Sequence, residues 1–172
     1  MRLPFPSTAD LPSGHEDIFA KIEASRGRVP DLFRMLAYTP AVLERREAYG
    51  KALKKDTILD ARLRELAICA VALANGGGYE FTAHLKQALE QGCPQEQLDA
   101  LAEFETSALF STEERAVMRY AGEVTTSIQV ANATWAACAS FLSKRELIEL
   151  VLICAWYNQT ARVTWPLEMH LK

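Results

Sequence analysis

Apolar residues recur along this chain at intervals of three and four, which is the repeat of a helix that buries one face. The first such stripe contains Ile18, Phe19 and Ile22, and the strongest apolar segments cover residues 61–75 and 147–157. No segment alternates strictly between apolar and polar residues, so the sequence predicts no β-strands. We therefore expect an all-α fold in which short connections place neighbouring helices antiparallel.

Capping signals indicate where these helices begin and end. A serine followed three residues later by a glutamate is typical of a helix start, and this spacing occurs at Ser13, Ser111 and Ser143. A glycine just after an apolar stripe indicates a helix end, as at Gly27. Residues 1–12 contain three prolines and are expected to form an extended arm. The predicted helices cover approximately residues 13–26, 30–37, 40–54, 61–75, 79–91, 94–102, 111–126, 132–142 and 143–162.

Size and charge limit the classes of function. The chain has 172 residues, enough for a single domain with a hydrophobic core. Its net charge is −3, so it offers no basic stripe to nucleic acid or to an anionic membrane. No run of about 18 apolar residues could span a bilayer, and the N-terminus lacks the apolar region of a signal peptide. We expect a cytoplasmic protein that acts on a small molecule and binds neither nucleic acid nor membrane.

The four cysteines are Cys69, Cys93, Cys138 and Cys154. They form no Cys-x-x-Cys pair and have no zinc-ligand spacing with a histidine, so no metal site is expected. Three of them lie in apolar helical patterns, where a free cysteine usually fills the core. Cys93 precedes Pro94 in an expected loop, and of the four cysteines it is the one that we expect to be exposed.

The glycine run at residues 76–78 lies between the most informative residues of the chain. It breaks an apolar helix, and a second helix is expected to begin at once. Glu80 and His84 are four residues apart in this second helix and so lie on one of its faces. Glu65 lies in the preceding helix and can face them across the turn. Two acids and an imidazole that converge among apolar residues suit proton transfer, so Glu65, Glu80 and His84 are the candidate catalytic residues.

Each of these residues also has a purely structural interpretation. His84 can be a partly buried side chain that packs on Tyr79 or Phe81. Glu80 can simply favour the helix N-terminus, where the helix dipole stabilises a carboxylate. A buried Glu65 is costly unless it is paired, and its partner can be a structural salt bridge. The sequence leaves both interpretations open.

Two apolar segments resemble each other weakly. Residues 65–75 and 149–158 both begin with Glu-Leu, contain a cysteine and end at an asparagine, Asn75 in one and Asn158 in the other. An old duplication of a helix pair explains this similarity. Two buried helices of similar composition explain it equally well.

The residues around the glycine run match a known family signature. They are Arg64-Glu65-Leu66, Ala74-Asn75, Tyr79-Glu80-Phe81, His84, Ala88 and Gly92, with flanking matches at Arg34-Met35-Leu36-Ala37, Thr134-Trp135 and Tyr157-Asn158. On these residues the chain resembles the carboxymuconolactone decarboxylase family, which includes the alkylhydroperoxidase D-like proteins. The resemblance implies one alkylhydroperoxidase D-like helical bundle over residues 1–172, with the family core at about 40–125. It also implies assembly as a homo-trimer or homo-hexamer.

The resemblance also indicates a branch of the family. The family's thiol peroxidases place a Cys-x-x-Cys pair between the glutamate and the histidine, and counted from Glu65 those two positions fall on Gly77 and Glu80. A dithiol mechanism needs both sulfurs, so it is not expected here. The decarboxylase-like branch instead uses Glu80 and His84 for acid–base chemistry without a cofactor. A histidine assisted by a glutamate can protonate the dienolate that remains when a lactone acid loses CO₂.

The expected function is therefore that of a cofactor-free lyase or isomerase for a small carboxylate or lactone from aromatic catabolism. Such a substrate needs a cation, and the candidates are Arg34, Arg45, Arg46 and Arg64. We name Tyr79 and Arg34 as candidate substrate-binding residues. Two alternatives stay open: a peroxidase-related oxidoreductase that recruits Cys69 or an external thiol, and a non-catalytic oligomeric binder.

Overall fold

The computed structural model describes residues 1–77 and 79–169, and for Tyr79 and Glu80 it describes the backbone alone. Within these residues the chain forms nine α-helices and two short 3-10 helices and no β-strand, which confirms the all-α prediction. No helix in this part of the chain is long and apolar enough to cross a membrane. The helices are α1 (Ile18–Arg26), α2 (Asp31–Leu36), α3 (Pro40–Lys55), α4 (Ala61–Ala74), α5 (Tyr79–Glu90), α6 (Gln95–Asp99), α7 (Thr112–Ser127), α8 (Asn132–Ala139) and α9 (Lys144–Thr164), and the 3-10 helices cover Thr8–Asp10 and Leu101–Glu103.

The chain divides into two compact units. The first unit contains residues Met1–Lys55 and the segment that begins at Val163. Its core consists of buried apolar side chains from α1, α2 and α3 and the residue that ends α2, namely Ile18, Ile22, Leu32, Phe33, Ala37 and Leu43. The second unit contains residues Asp56–Arg162 and includes α4 to α8 and most of α9.

The start of α1 differs from the prediction. A capping box at Ser13 was expected to open this helix, but α1 begins at Ile18. The Glu16 carboxylate accepts the backbone N–H of Gly14 at 3.0 Å, so it closes a turn ahead of the helix. The expected extended arm before it is also interrupted, because Ser7 and Asp10 form a capping box around the first 3-10 helix.

The centre of the second unit is α4. Nine of its fourteen residues are buried, and it packs against α5 and α7. Its N-terminus is capped by Asp60, whose carboxylate accepts the backbone N–H groups of Arg62 and Leu63, each at 3.0 Å. The apolar faces of these helices exclude water from the interior, so the few polar side chains that α4 buries need partners inside the protein.

A buried polar cluster joins the first turn of α4 to α6 and α7. Arg62 forms an ion pair with Glu114 at 2.8 Å and donates to the side-chain oxygen of Gln97 at 3.0 Å. The Gln97 amide donates in turn to Glu114 at 2.9 Å. Glu114 also accepts the N–H of Ser111 at 2.8 Å, which confirms the capping box predicted at the start of α7.

Glycines end α4 in a defined way. The N–H of Gly76 bonds to the carbonyl of Leu73 at 2.9 Å, and the N–H of Gly77 bonds to that of Ala72 at 2.8 Å. This pair of bonds is a Schellman motif, which needs a left-handed residue after the helix. Gly76 supplies it with φ of 90°, and Gly77 follows with φ of 79°. Glycine adopts these angles without steric cost, so the turn towards α5 begins immediately.

The same motif makes the prediction for Cys93 wrong. At the end of α5, the N–H of Gly92 bonds to Leu89 and the N–H of Cys93 bonds to Ala88, both at 3.0 Å. The residue after the left-handed glycine of a Schellman motif commonly packs back on the helix. Cys93 is only 2% exposed, so it is a buried thiol.

Candidate functional site

Two of the three candidate catalytic residues meet inside the second unit. Glu65 lies on α4, His84 lies on α5, and the Nδ1 atom of His84 is 2.7 Å from the Oε2 atom of Glu65. The contact forms because the glycine turn reverses the chain and brings α5 against α4. Glu65 is 2% exposed and His84 is 5% exposed, so their hydrogen bond is shielded from water. His84 is therefore a buried side chain of the second unit.

The hydrogen bond joins the Glu65 carboxylate to one particular nitrogen of the imidazole. An ionised carboxylate can only accept hydrogen bonds, so beside an ionised Glu65 the Nδ1 atom of His84 is the donor. Arg64 lies beside the pair, with its Nε atom 3.4 Å from the Oε1 atom of Glu65. This guanidinium compensates the charge of a carboxylate that would otherwise be costly to bury.

An aromatic residue from α9 completes the surroundings of His84. The rings of His84 and Tyr157 have centroids 4.7 Å apart and are inclined at 82°, an edge-to-face arrangement. This geometry restrains the orientation of the imidazole. Sequence analysis noted Tyr157 only as a flanking match, because nothing local in the sequence links α9 to a residue on α5.

The residue after Tyr157 binds the end of α4. The Nδ2 atom of Asn75, the residue that precedes the glycine turn, donates to the Oδ1 atom of Asn158 at 3.2 Å. These are the two asparagines that end the similar segments 65–75 and 149–158, so the two segments meet through them.

The cysteine thiols are buried, and burial raises their pKa values. Cys69 lies one helical turn after Glu65 on α4, and all four cysteines are free and buried. Burial, reinforced by the nearby Glu65 carboxylate and Cys93, raises the pKa of Cys69 to about 12. Burial likewise raises the pKa of Cys93 to about 11 and that of Cys138 to about 11. Thiolate is the reactive form of cysteine, so these environments suppress nucleophilic sulfur chemistry at neutral pH.

Other predicted site residues are placed elsewhere or lie outside the description. The side chains of Glu80 and Tyr79 are not among the described ones, so their roles stay predictions. Arg34 lies in the first unit, where its guanidinium stacks 4.3 Å from the centroid of the Phe5 ring and pairs with Asp31 at 3.7 Å. Its role in substrate binding also stays a prediction. Among the described residues, no group of three or more His, Cys, Asp or Glu side chains could hold a metal ion.

A comparison with protein-family models identifies one match. Residues 40–123 match the carboxymuconolactone decarboxylase family. This segment includes both members of the Glu65–His84 pair and the glycine turn between them. No curated protein matches the chain.

Solved structures share the whole fold. The alkylhydroperoxidase AhpD core of an uncharacterized peroxidase-related protein from Ralstonia eutropha JMP134 is 25% identical, with a TM-score of 0.76, and the match covers 95% of this chain and 87% of that one. A peroxidase-related protein from Silicibacter sp. TM1040 is 20% identical, with a TM-score of 0.78 and coverage of 96% and 88%. A cysteine-to-alanine variant of the debrominase Bmp8, in complex with 2,3,4-tribromopyrrole, is 18% identical, with a TM-score of 0.79 and coverage of 98% and 89%. The last two likenesses show the fold alone.

Proposed function

Since the chain belongs to the carboxymuconolactone decarboxylase and alkylhydroperoxidase D-like superfamily, we propose that it is a cofactor-free lyase or isomerase of that superfamily. Its substrate is a small carboxylate or lactone of the kind formed in aromatic catabolism. One observation carries the proposal: the buried hydrogen bond of 2.7 Å between His84 and Glu65. A buried imidazole–carboxylate pair is an arrangement that positions a proton for transfer.

The proton-transfer step of the proposed chemistry uses the side chains of His84 and Glu65. In a decarboxylation, the bond to the departing carboxylate breaks, CO₂ leaves, and the electron pair stays on the substrate as a dienolate. The imidazolium of His84 then gives its Nε2 proton to the carbon that carries the negative charge. The Glu65 carboxylate accepts the hydrogen bond from the Nδ1–H group throughout, and it stabilises the imidazolium before the transfer. In an isomerisation, the same Nε2 atom removes a proton from one carbon and returns it to another.

The second acid of the site is Glu80, which lies in the first turn of α5. We propose that its carboxylic acid, protonated from solvent, returns a proton to His84 after each turnover, since the two residues are four positions apart on one helical face. Arg34 and Tyr79 remain the proposed substrate-binding residues.

A second candidate function is that of a peroxidase-related oxidoreductase. The similarity to the peroxidase-related protein from Ralstonia eutropha favours it. Two observations disfavour it. Gly77 and Glu80 occupy the positions of the family's two cysteines, and the pKa of Cys69 is raised to about 12. A thiol peroxidase needs an attacking thiolate and a resolving sulfur, and neither condition is met by these residues.

Proton transfer can be tested without knowledge of the natural substrate. The protein is incubated in D₂O with a panel of unsaturated lactone acids, and NMR follows CO₂ loss and deuterium incorporation at carbon. We expect at least one compound to react or exchange, and His84→Gln to slow this by roughly 10²–10⁴-fold, the usual contribution of a positioned acid or base. Glu149→Gln, a change at another buried site of the same unit, should leave the rate close to that of the wild type.

Two results would contradict the proposal. The first is a reaction that His84→Gln leaves unchanged. The second is rapid peroxide consumption with a dithiol reductant that Cys69→Ser abolishes, which would establish the oxidoreductase instead.

A further inference from the structure

The dipeptide Tyr157–Asn158 of α9 contacts α5 and the residue that follows α4. Tyr157 packs edge-to-face with the ring of His84 on α5. Asn158 binds Asn75, the residue that caps the C-terminal end of α4 before the glycine turn, at 3.2 Å. From this geometry we propose that Asn158 is a positioning residue that fixes the glycine turn and, through it, the alignment of His84 with Glu65.

Asn158 uses all of its hydrogen-bonding capacity. Its Nδ2 atom donates to the hydroxyl of Thr125 on α7 at 2.9 Å and to the carbonyl of Cys154 at 3.0 Å. Its Oδ1 atom accepts from Asn75 and, at 2.7 Å, from the Nη1 atom of Arg162. A side-chain amide offers two donors and about two acceptor sites. The amide is thus held in one orientation, and it ties α4, α7 and α9 together.

The link reaches the site through the Schellman turn that ends α4. Gly76 and Gly77 have no side chains to restrain them, and both adopt positive φ. Asn75 is anchored on one side to α4, because its Nδ2 atom also donates to the carbonyl of Val71 at 3.0 Å. On the other side it is anchored to Asn158. Asn75 is therefore held by both α4 and α9 where the chain leaves α4, and in the proposal this double anchoring aligns α5, which carries His84.

The proposal rests on the proposed function for its consequence in catalysis, but it can be tested without any assay of activity. The chain contains only three histidines, so the imidazole ¹⁵N and N–H resonances of His84 can be assigned by comparison with His84→Gln. In the wild type we expect a single tautomer with a slowly exchanging Nδ1 proton. In Asn158→Ala we expect this proton to exchange rapidly and the tautomers to mix.

The matched control is Gln97→Ala. Gln97 is also a buried side-chain amide that joins three helices of the same unit, through Arg62 and Glu114. It should lower thermal stability to a similar degree but leave the His84 resonances as in the wild type. If Asn158 had only a structural role, Asn158→Ala and Gln97→Ala would have the same effect on the His84 resonances.

Asn75→Ala provides the second variant, since it cuts the link at the turn and leaves the bonds between α9 and α7 in place. It should disturb the His84 resonances in the same direction as Asn158→Ala, and it decides the question if Asn158→Ala does not fold. The proposal is overturned if the folded variants keep the wild-type His84 signal, or if Gln97→Ala disturbs that signal equally. Where an active substrate is found, kcat should fall by up to about 10²-fold through misalignment, with little change in KM.

Discussion

Glu65 on α4 and Glu149 on α9 are buried carboxylates in similar sequence contexts, and their surroundings differ in kind. Each glutamate precedes a leucine in an apolar helix, and they are 2% and 6% exposed. Glu149 accepts the backbone N–H groups of Ile58 and Leu59, both at 2.8 Å, and the Nε of Arg145 at 2.9 Å. Glu65 instead contacts the titratable side chain of His84 and lies beside Arg64.

We infer a structural role for Glu149, whereas the proposed function gives Glu65 a chemical one. Backbone N–H groups hold a negative charge in place and cannot exchange its proton, so Glu149 fastens the segment before α4 to α9. Burial alone would raise the pKa of Glu149, but the hydrogen bonds from Leu59, Arg145 and Ile58 outweigh burial and hold the pKa below its ordinary value. Glu65 instead has an imidazole as its partner, and the proposed function rests on this pair.

The largest expected effect is on activity, and it should appear at only one of the two glutamates. Glu65→Gln removes the charge that stabilises the imidazolium of His84, so the rate should fall by roughly 10²–10⁴-fold. Glu149→Gln should retain most of the activity at temperatures where it is folded. Initial rates with a substrate found in the D₂O screen provide the measurement. Equal losses in the two variants would remove the distinction between the sites.

The next effect is on stability, and it should have the opposite ranking. Glu149→Gln replaces charge-assisted hydrogen bonds by neutral ones and leaves Arg145 without its carboxylate, so the free energy of unfolding should fall by about 1.5–3 kcal/mol. Glu65→Gln should cost less, because it weakens one short hydrogen bond and one longer ion pair with Arg64, whereas Glu149→Gln weakens three short charge-assisted hydrogen bonds. Urea denaturation of both variants at pH 7 gives the two values. A larger loss for Glu65→Gln would identify Glu65 as the main structural carboxylate.

The sequence predicts best what depends on neighbouring residues. The helix after Asp60, the break at the glycines and the meeting of Glu65 with His84 follow from capping, turn and spacing rules that act over a few residues. Tyr157 and Asn158 were missed as parts of the site because they come from α9, more than 70 residues after His84 in sequence, and only the packing of helices brings them there. The predicted exposure of Cys93 failed because a local loop signal does not show whether the side chain after the turn is buried.

The pH dependence of stability should show the structural contribution of the Glu149 carboxylate. Because the pKa of Glu149 is lower in the folded protein than in the unfolded chain, its contribution is fully present above the unfolded value of about 4.3. It is lost as pH falls through the lower folded value. The wild type should therefore lose its stability advantage over Glu149→Gln in this acidic range. Unfolding free energies measured from pH 7 to pH 3 would refute the assignment if the difference between the two proteins stayed constant.

The smallest effect is expected at Cys69, the thiol one helical turn after Glu65. With its pKa raised to about 12, Cys69 should have a thiolate fraction of only about 10⁻⁵ at pH 7, against roughly 3% for an unperturbed thiol. Alkylation by iodoacetamide in the folded protein should be correspondingly slow, and it should become rapid in urea. Cys69→Ser should change the proton-transfer rate by less than about threefold, because the residue supplies packing and takes no part in the proposed chemistry. Fast alkylation of Cys69 in the native protein, located by peptide mass spectrometry, would show that a reactive thiol is available next to Glu65. The peroxidase-related oxidoreductase would then be the better-supported function.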